Sequence, residues 1–271
     1  MKTSNRRFLL RSSLCVLFSF FAYSWAQATL PVISAGETVV FSDDFTSNSS
    51  NWTNVVSSST TSAASINNSV WSASIAGDTN SVTSNATLSQ ALNIANGSIS
   101  LYLRLRTDGI TSGDAGKLTF SLSESTGNRF VSFAIRPNVA TVVEYRNSAG
   151  TRLSTNLASA TFADTSTFRD FKITLSVTDN DYTNPATAEV FVYNTTTSAY
   201  TSLGVVSSLI DLDTGVFNLL TLLARNNTGG AAYIDSIAVT QTSAVPEPST
   251  YGLIFGSIFL GICLATRPRR H

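Results

Sequence analysis

The feature that most constrains this chain is an apolar alternation of period two that recurs along its middle. In Ser98–Arg106, the residues Ile99, Leu101, Leu103 and Leu105 fall on one side of an extended chain, and Ser100, Tyr102, Arg104 and Arg106 on the other. Successive side chains of a strand point to opposite faces, so this spacing makes a half-buried strand and not a one-faced helix. Lys117–Ser123 repeats it with Leu118, Phe120 and Leu122, and Asp170–Val177 with Phe171, Ile173, Leu175 and Val177. Segments 39–45, 129–135, 139–146, 188–194, 216–224 and 232–240 are further strands, separated by turn clusters such as Asp108-Gly109 and 226–230. Residues 209–223 have the only helix-like stretch, which Asp211, Asp213 and Gly215 interrupt. Many one-sided strands without helices predict an all-β domain, an antiparallel two-sheet sandwich of about 215 residues spanning 29–243. Closing such a sandwich pairs its first and last strands. No internal repeat is visible.

The two ends read as targeting segments. Lys2, Arg6, Arg7 and Arg11 precede a short apolar run beginning at Leu14, and Ala26-Gln27-Ala28 places small residues where a leader peptidase reads them. Residues 1–28 are therefore expected to be a secretory signal peptide cut after Ala28. Arg6-Arg7-Phe8-Leu9-Leu10 is similar to a twin-arginine signal, but the strongly apolar run favours the general secretory route. At the other end, residues 251–265 carry no charge, and with their neutral flanks they predict a single transmembrane helix over about 250–266. That helix would be roughly 25 Å long, at the short end for a span. Arg267, Arg269 and Arg270 follow it, which leaves the basic end 267–271 in the cytoplasm and the domain outside.

Directly before this span stands Val245-Pro246-Glu247-Pro248-Ser249. The two prolines keep the segment extended and outside the helix. The arrangement over residues 244–271 resembles the PEP-CTERM sorting tail of bacterial surface and exopolysaccharide-associated proteins. The resemblance implies that Pro246, Glu247 and Pro248 are a sorting signal read by an exosortase, a membrane protease-transpeptidase. The span would then be discarded. It also implies a cell-envelope or matrix location and a link to exopolysaccharide.

Charge and residue chemistry narrow the remaining functions. The whole chain is neutral, with 17 cations and 17 acids, but the ends hold seven of the cations and the domain keeps sixteen of the acids. The domain is thus acidic, with a balance of about −6, which argues against a nucleic-acid partner. Cys15 and Cys263 lie in the terminal apolar runs, so the domain has no disulfide, thiol nucleophile or cysteine-based zinc site. The sole histidine is His271, beyond the span, which removes a Ser-His-Asp triad and any histidine general base. No phosphate-cradling glycine loop occurs. The chain is expected not to be an enzyme and to need no cofactor.

Carboxylates are the one catalytic resource left. Glucanases of the concanavalin-A-like class set acids at alternate positions of one strand, about 7 Å apart. Here Glu124, Glu144 and Glu189 fall on separate strands, and Asp179 and Asp181 sit in a turn, so an atypical glycoside hydrolase ranks last. The opening Asp43-Asp44-Phe45 before Trp52 and the closing Tyr233-Ile234-Asp235 resemble the edges of concanavalin-A-like and laminin-G-type jelly rolls. That resemblance implies a jelly-roll sandwich and keeps a carbohydrate-binding module as the alternative to a noncatalytic matrix protein. Sugar binding needs aromatic faces, for which Tyr102 and Tyr145 are the candidates, with Tyr182, Tyr193 and Tyr200 also available. Trp52 and Trp71 are expected in the core. Asp44 and Asp235, with Asp43 as a substitute for Asp44, are candidate ligands for a structural Ca²⁺; turn-capping accounts for them equally well.

Overall fold

The computed structural model describes residues 30–46, 51–57, 63–67, 69–75, 81–108, 117–124, 130–135, 140–146, 151–161, 165–181, 183–209, 215–225 and 230–242. The leader, the Pro246–Pro248 signal and the expected span all lie outside them. Among the described residues no helix is long and apolar enough to cross a membrane.

The strands run β1 Glu37–Asp43, β2 Trp52–Ser57, β3 Ala63–Asn67, β4 Val70–Ile75, β5 Ser81–Asn93, β6 Ile99–Asp108 and β7 Lys117–Ser123. They continue as β8 Phe130–Ile135, β9 Ala140–Arg146, β10 Arg152–Thr161, β11 Thr165–Val177, β12 Ala186–Asn194, β13 Ala199–Leu209, β14 Val216–Arg225 and β15 Gly230–Thr242. One sheet has the order β13-β12-β11-β6-β15-β4-β3, with β1 pairing the second half of β15; we call it the front sheet. The back sheet runs β10-β9-β8-β7-β14-β5-β2. Every pairing among the described strands is antiparallel.

The alternation seen in the sequence sets which side chains meet between the sheets. Leu101, Leu103 and Leu105 of β6 and Phe171, Ile173 and Leu175 of β11 point inward from the front sheet. They meet Leu118, Phe120 and Leu122 of β7 and Leu220 and Leu222 of β14 from the back. Trp71 is fully buried and its indole N–H donates to Ser84 Oγ at 3.0 Å, so the ring enters the core without a stranded donor. Trp52 is partly buried against the same core, 6.0 Å from Phe41 and 5.8 Å from Phe45 between ring centres.

The first and last strands do pair, from Glu37 opposite Thr242 to Asp43 opposite Ile237. At the end of β1 the Asp43 carboxylate accepts the Phe45 backbone N–H and the Trp52 indole N–H, both at 2.7 Å. Those two bonds hold Phe45 in a left-handed conformation, φ +55°, and turn its ring inward.

Several strands were not visible as alternation. Segment 46–68, rich in Ser, Thr and Asn, contains β2 and β3, and β5, β10 and β13 are long strands of mostly small or polar residues. Among the described strands, β3, β10 and β13 have a partner on one side only, so packing asks less of their sequence.

Candidate functional site

The outer side of the front sheet, away from the core, carries the densest chemistry. The register builds it row by row. Tyr102 on β6 stands opposite Lys172 on β11, which stands opposite Phe191 on β12. In the next row Arg104 faces Asp170, and Tyr193 on β12 faces Tyr200 on β13. A bulge in β15 between Ile234 and Ser236 swings Asp235 toward Arg104 on the other flank. In a third row Arg106 lies over two rings, 4.3 Å from the centre of Tyr233 and 5.1 Å from that of Phe168.

The first row is roofed. The segment before β1 crosses this face, and its Ser34 N–H donates to Tyr102 Oη at 3.1 Å. Tyr102 Oη donates to Glu37 Oε2 at 2.8 Å, and Lys172 Nζ donates to Glu37 Oε1 at 2.6 Å and to Ser34 Oγ at 3.1 Å. Thr240 Oγ1 also donates to Glu37. Tyr102 is therefore 0 % exposed, although it lies on the polar side of its strand as its position predicts. The expectation that it offers a free aromatic face is corrected by this roof. Burial pushes the Tyr102 hydroxyl up from its ordinary pKa, with Ser34 opposing and Glu37 adding to the rise. For Lys172 burial acts downward, but its bonds to Glu37 and Tyr102 outweigh it and hold the ammonium above its ordinary value.

The second row is open. Arg104, Phe168, Asp170, Tyr193, Asn194 and Thr201 line a groove of about 690 Å³. The Arg104 Nε lies 3.2 Å from Asp235 and 3.8 Å from Asp170, so one guanidinium holds two carboxylates. Burial raises both carboxyl pKa values against the pull of Arg104, and for Asp235 the neighbouring Asp170 and Asp44 add to the rise. The rings of Tyr193 and Tyr200 meet edge to face at 5.2 Å, and Tyr200 meets Tyr102 at 5.6 Å. Two buried polar atoms here, Asp170 Oδ1 and Tyr200 Oη, have no hydrogen-bond partner in the protein. Burial, then the Asp170 charge, drives the Tyr200 hydroxyl far above its ordinary pKa, so it stays a donor. Both atoms are sealed from solvent, and Asp170 Oδ1 faces the Arg104 guanidinium at 3.8 Å.

The remaining candidates lie elsewhere. Tyr145 points inward from β9, belongs to the hydrophobic core and is 6 % exposed, so it too is corrected from a sugar-stacking residue to a packing residue. The parity of Val143 and Tyr145, both inward, carries that assignment. Asp44 accepts from the backbone and hydroxyl of Thr46, at 3.1 and 2.6 Å, and caps a turn. With Asp43 bonded to Phe45 and Trp52 and Asp235 paired with Arg104, the carboxylates considered for calcium are already engaged. Among the described residues no group of three or more acid, cysteine or histidine side chains is placed to hold a metal. Glu144 is on the back sheet, ion-paired with Arg152, while Glu189 is on the front sheet, so these two do not share a site. Tyr182 lies outside the described residues.

No family model matches the sequence, and no curated protein is similar to it. Solved structures do match in fold. An endo-β-galactosidase from Clostridium perfringens that releases GlcNAcα1-4Gal superimposes with a TM-score of 0.51 at 10% identity, over 79% of this chain and 65% of its own. A sialidase superimposes with a TM-score of 0.50 at 10% identity, over 78% of this chain and 19% of its own. The carbohydrate recognition domain of Emp47p has a TM-score of 0.49 at 11% identity, over 78% of this chain and 99% of its own. This chain thus spans under two thirds of the first two proteins. The fold is an all-β sandwich of two antiparallel sheets.

Proposed function

We propose that this protein is a noncatalytic saccharide-binding module displayed at the cell envelope, with the groove on the front sheet as its binding site. The observation that carries the reading is the open groove lined by Arg104, Asp170 and Tyr193. It sets an aromatic ring beside a charged pair, with the Tyr200 ring packed edge to face on Tyr193. Saccharides present apolar ring faces and hydroxyls that both donate and accept, and this groove offers partners for each. Asn194 and Thr201 on the wall extend the hydrogen-bonding capacity.

Catalysis is the weaker reading because both groove carboxylates are tied to one guanidinium. Burial raises both carboxyl pKa values, which by itself suits a proton donor, but a glycosidase also needs a second carboxylate free to act, and both of these contact Arg104. The sandwich fold is compatible with either role and decides neither. The leader 1–28, the Pro246–Pro248 signal, the span and the basic end supply the address: export, membrane retention and processing by an exosortase-type protease, with delivery toward exopolysaccharide.

A glycan array probed with the full-length protein tests the binding claim. Specific signals that fall at least tenfold in Tyr193→Ala and Asp170→Asn support the groove, at about 1.4 kcal/mol per tenfold. Binding untouched by both substitutions would move the site elsewhere. Intact mass of the protein from its own host tests the address: loss of residues 1–28 and of 251–271 is expected, and a chain retaining its tail counts against processing.

A further inference from the structure

The other broad face of the sandwich carries a feature of its own. On the back sheet the inward positions of β7, β8 and β14 are core residues such as Phe120, Val131 and Leu220, so the alternate positions face outward. Following the register from strand to strand, Thr53 stands opposite Asn85, Asn85 opposite Thr221, and Thr221 opposite Ser121. Ser121 stands opposite Ser132, Ser132 opposite Glu144, and Glu144 opposite Ser154. One straight row thus crosses all seven strands with a polar side chain at every position. At about 4.8 Å per strand it is about 29 Å long.

A merely solvated face would be exposed along its length. This row is not. Thr53 and Ser154 at its ends are exposed, Asn85, Thr221, Ser121 and Glu144 are half-buried, and Ser132 is 1 % exposed. Two residues along from Ser121 on the same side of β7 is Thr119, 6 % exposed, whose hydroxyl has no hydrogen-bond partner. Asn85 is bonded through its Oδ1, which accepts from Thr221 at 2.8 Å. Leu219 and Leu223, half-buried on β14, flank the row on either side. Hydroxyls and an amide at even spacing, bordered by apolar residues, match an extended neutral saccharide chain lying across the strands.

From this we infer that the domain has a second saccharide site on the back sheet and, resting on the proposed front-sheet groove, bridges two polysaccharide chains. The two sites lie on opposite sides of a core about 10 Å thick between sheets, so one chain cannot occupy both across a single face. A monomer with two such faces is a cross-linker. Its avidity for long chains exceeds its affinity for short fragments, by about a hundredfold where both faces engage one network.

The test uses the full-length protein in mild detergent, with soluble mixed-linkage β-glucan and dextran as the long chains and their hexasaccharide fragments as the short ones. Calorimetry with the fragments should give two sites per chain, and light scattering should rise when long chains are mixed with monomeric protein. Asn85→Ala with Ser121→Ala, both outside the core, should reduce the stoichiometry to one and abolish the scattering. Thr119→Val is the second probe of the row; it should preserve the fold and weaken one of the two sites. Tyr193→Ala should likewise leave one site and no scattering. A single site in the wild type, lost in Tyr193→Ala, overturns the second site and leaves the groove standing. A single site lost only in the row variants overturns bridging and the groove reading together. Two sites that survive every row variant would overturn the assignment to the back sheet.

Discussion

Tyr200 concentrates the residue-scale argument. Its hydroxyl is buried without a hydrogen-bond partner, yet its ring packs on Tyr102 and Tyr193. Removing only the oxygen separates packing from recognition. Tyr200→Phe should raise stability by about 1 kcal/mol in chemical denaturation, because an unsatisfied buried hydroxyl is lost. The same change should weaken glycan binding about tenfold if the hydroxyl serves a ligand. Lower stability with unchanged binding would show the hydroxyl to be structural. The tyrosines of this site were nameable from sequence as available aromatics, whereas the Arg104–Asp170–Asp235 cluster was not. Those three residues lie on β6, β11 and β15, and only the strand register joins them. Tyr102 was placed on the correct side of its strand, but nothing local announces that Ser34 and Glu37 fold back over it.

At the scale of elements, the roof over β6 and β11 depends on one acid. Glu37 accepts from Tyr102, Lys172 and Thr240, binding the start of β1 to β6, β11 and β15 at once. Lys172→Met should cost about 3 kcal/mol, since it leaves a buried carboxylate without its cation. The pH dependence has a definite sign. Both the Lys172 ammonium and the Tyr102 hydroxyl are held above their ordinary values of 10.5 and 10.0, so the folded state keeps protons that the unfolded chain gives up. Their contribution is full below about pH 10 and is lost as pH rises through the folded values. Denaturation midpoints should therefore fall on the alkaline side of pH 10, and less steeply in Lys172→Met. An equally steep fall in that variant would remove Lys172 as the cause. Strands such as β6, β7 and β11 were legible because each buries a complete face of large aliphatic residues. β3, β10 and β13 were not, because edge strands of Ser, Thr and Ala carry little periodic contrast.

For the molecule as a whole, the two-sheet sandwich leaves both broad faces decorated by polar rows. Its ends, read from sequence alone, carry the account of where it resides. The central claim is that the domain holds saccharide without cleaving it. The most direct measurement incubates full-length protein with the polysaccharide that it binds best and follows bound fraction and new reducing ends in the same sample. The account predicts saturable binding, lowered by Tyr193→Ala, with reducing ends no higher than in the protein-free control. Reducing ends that accumulate with time and disappear in Asp170→Asn or Asp235→Asn would contradict it, as would the absence of any saturable binding.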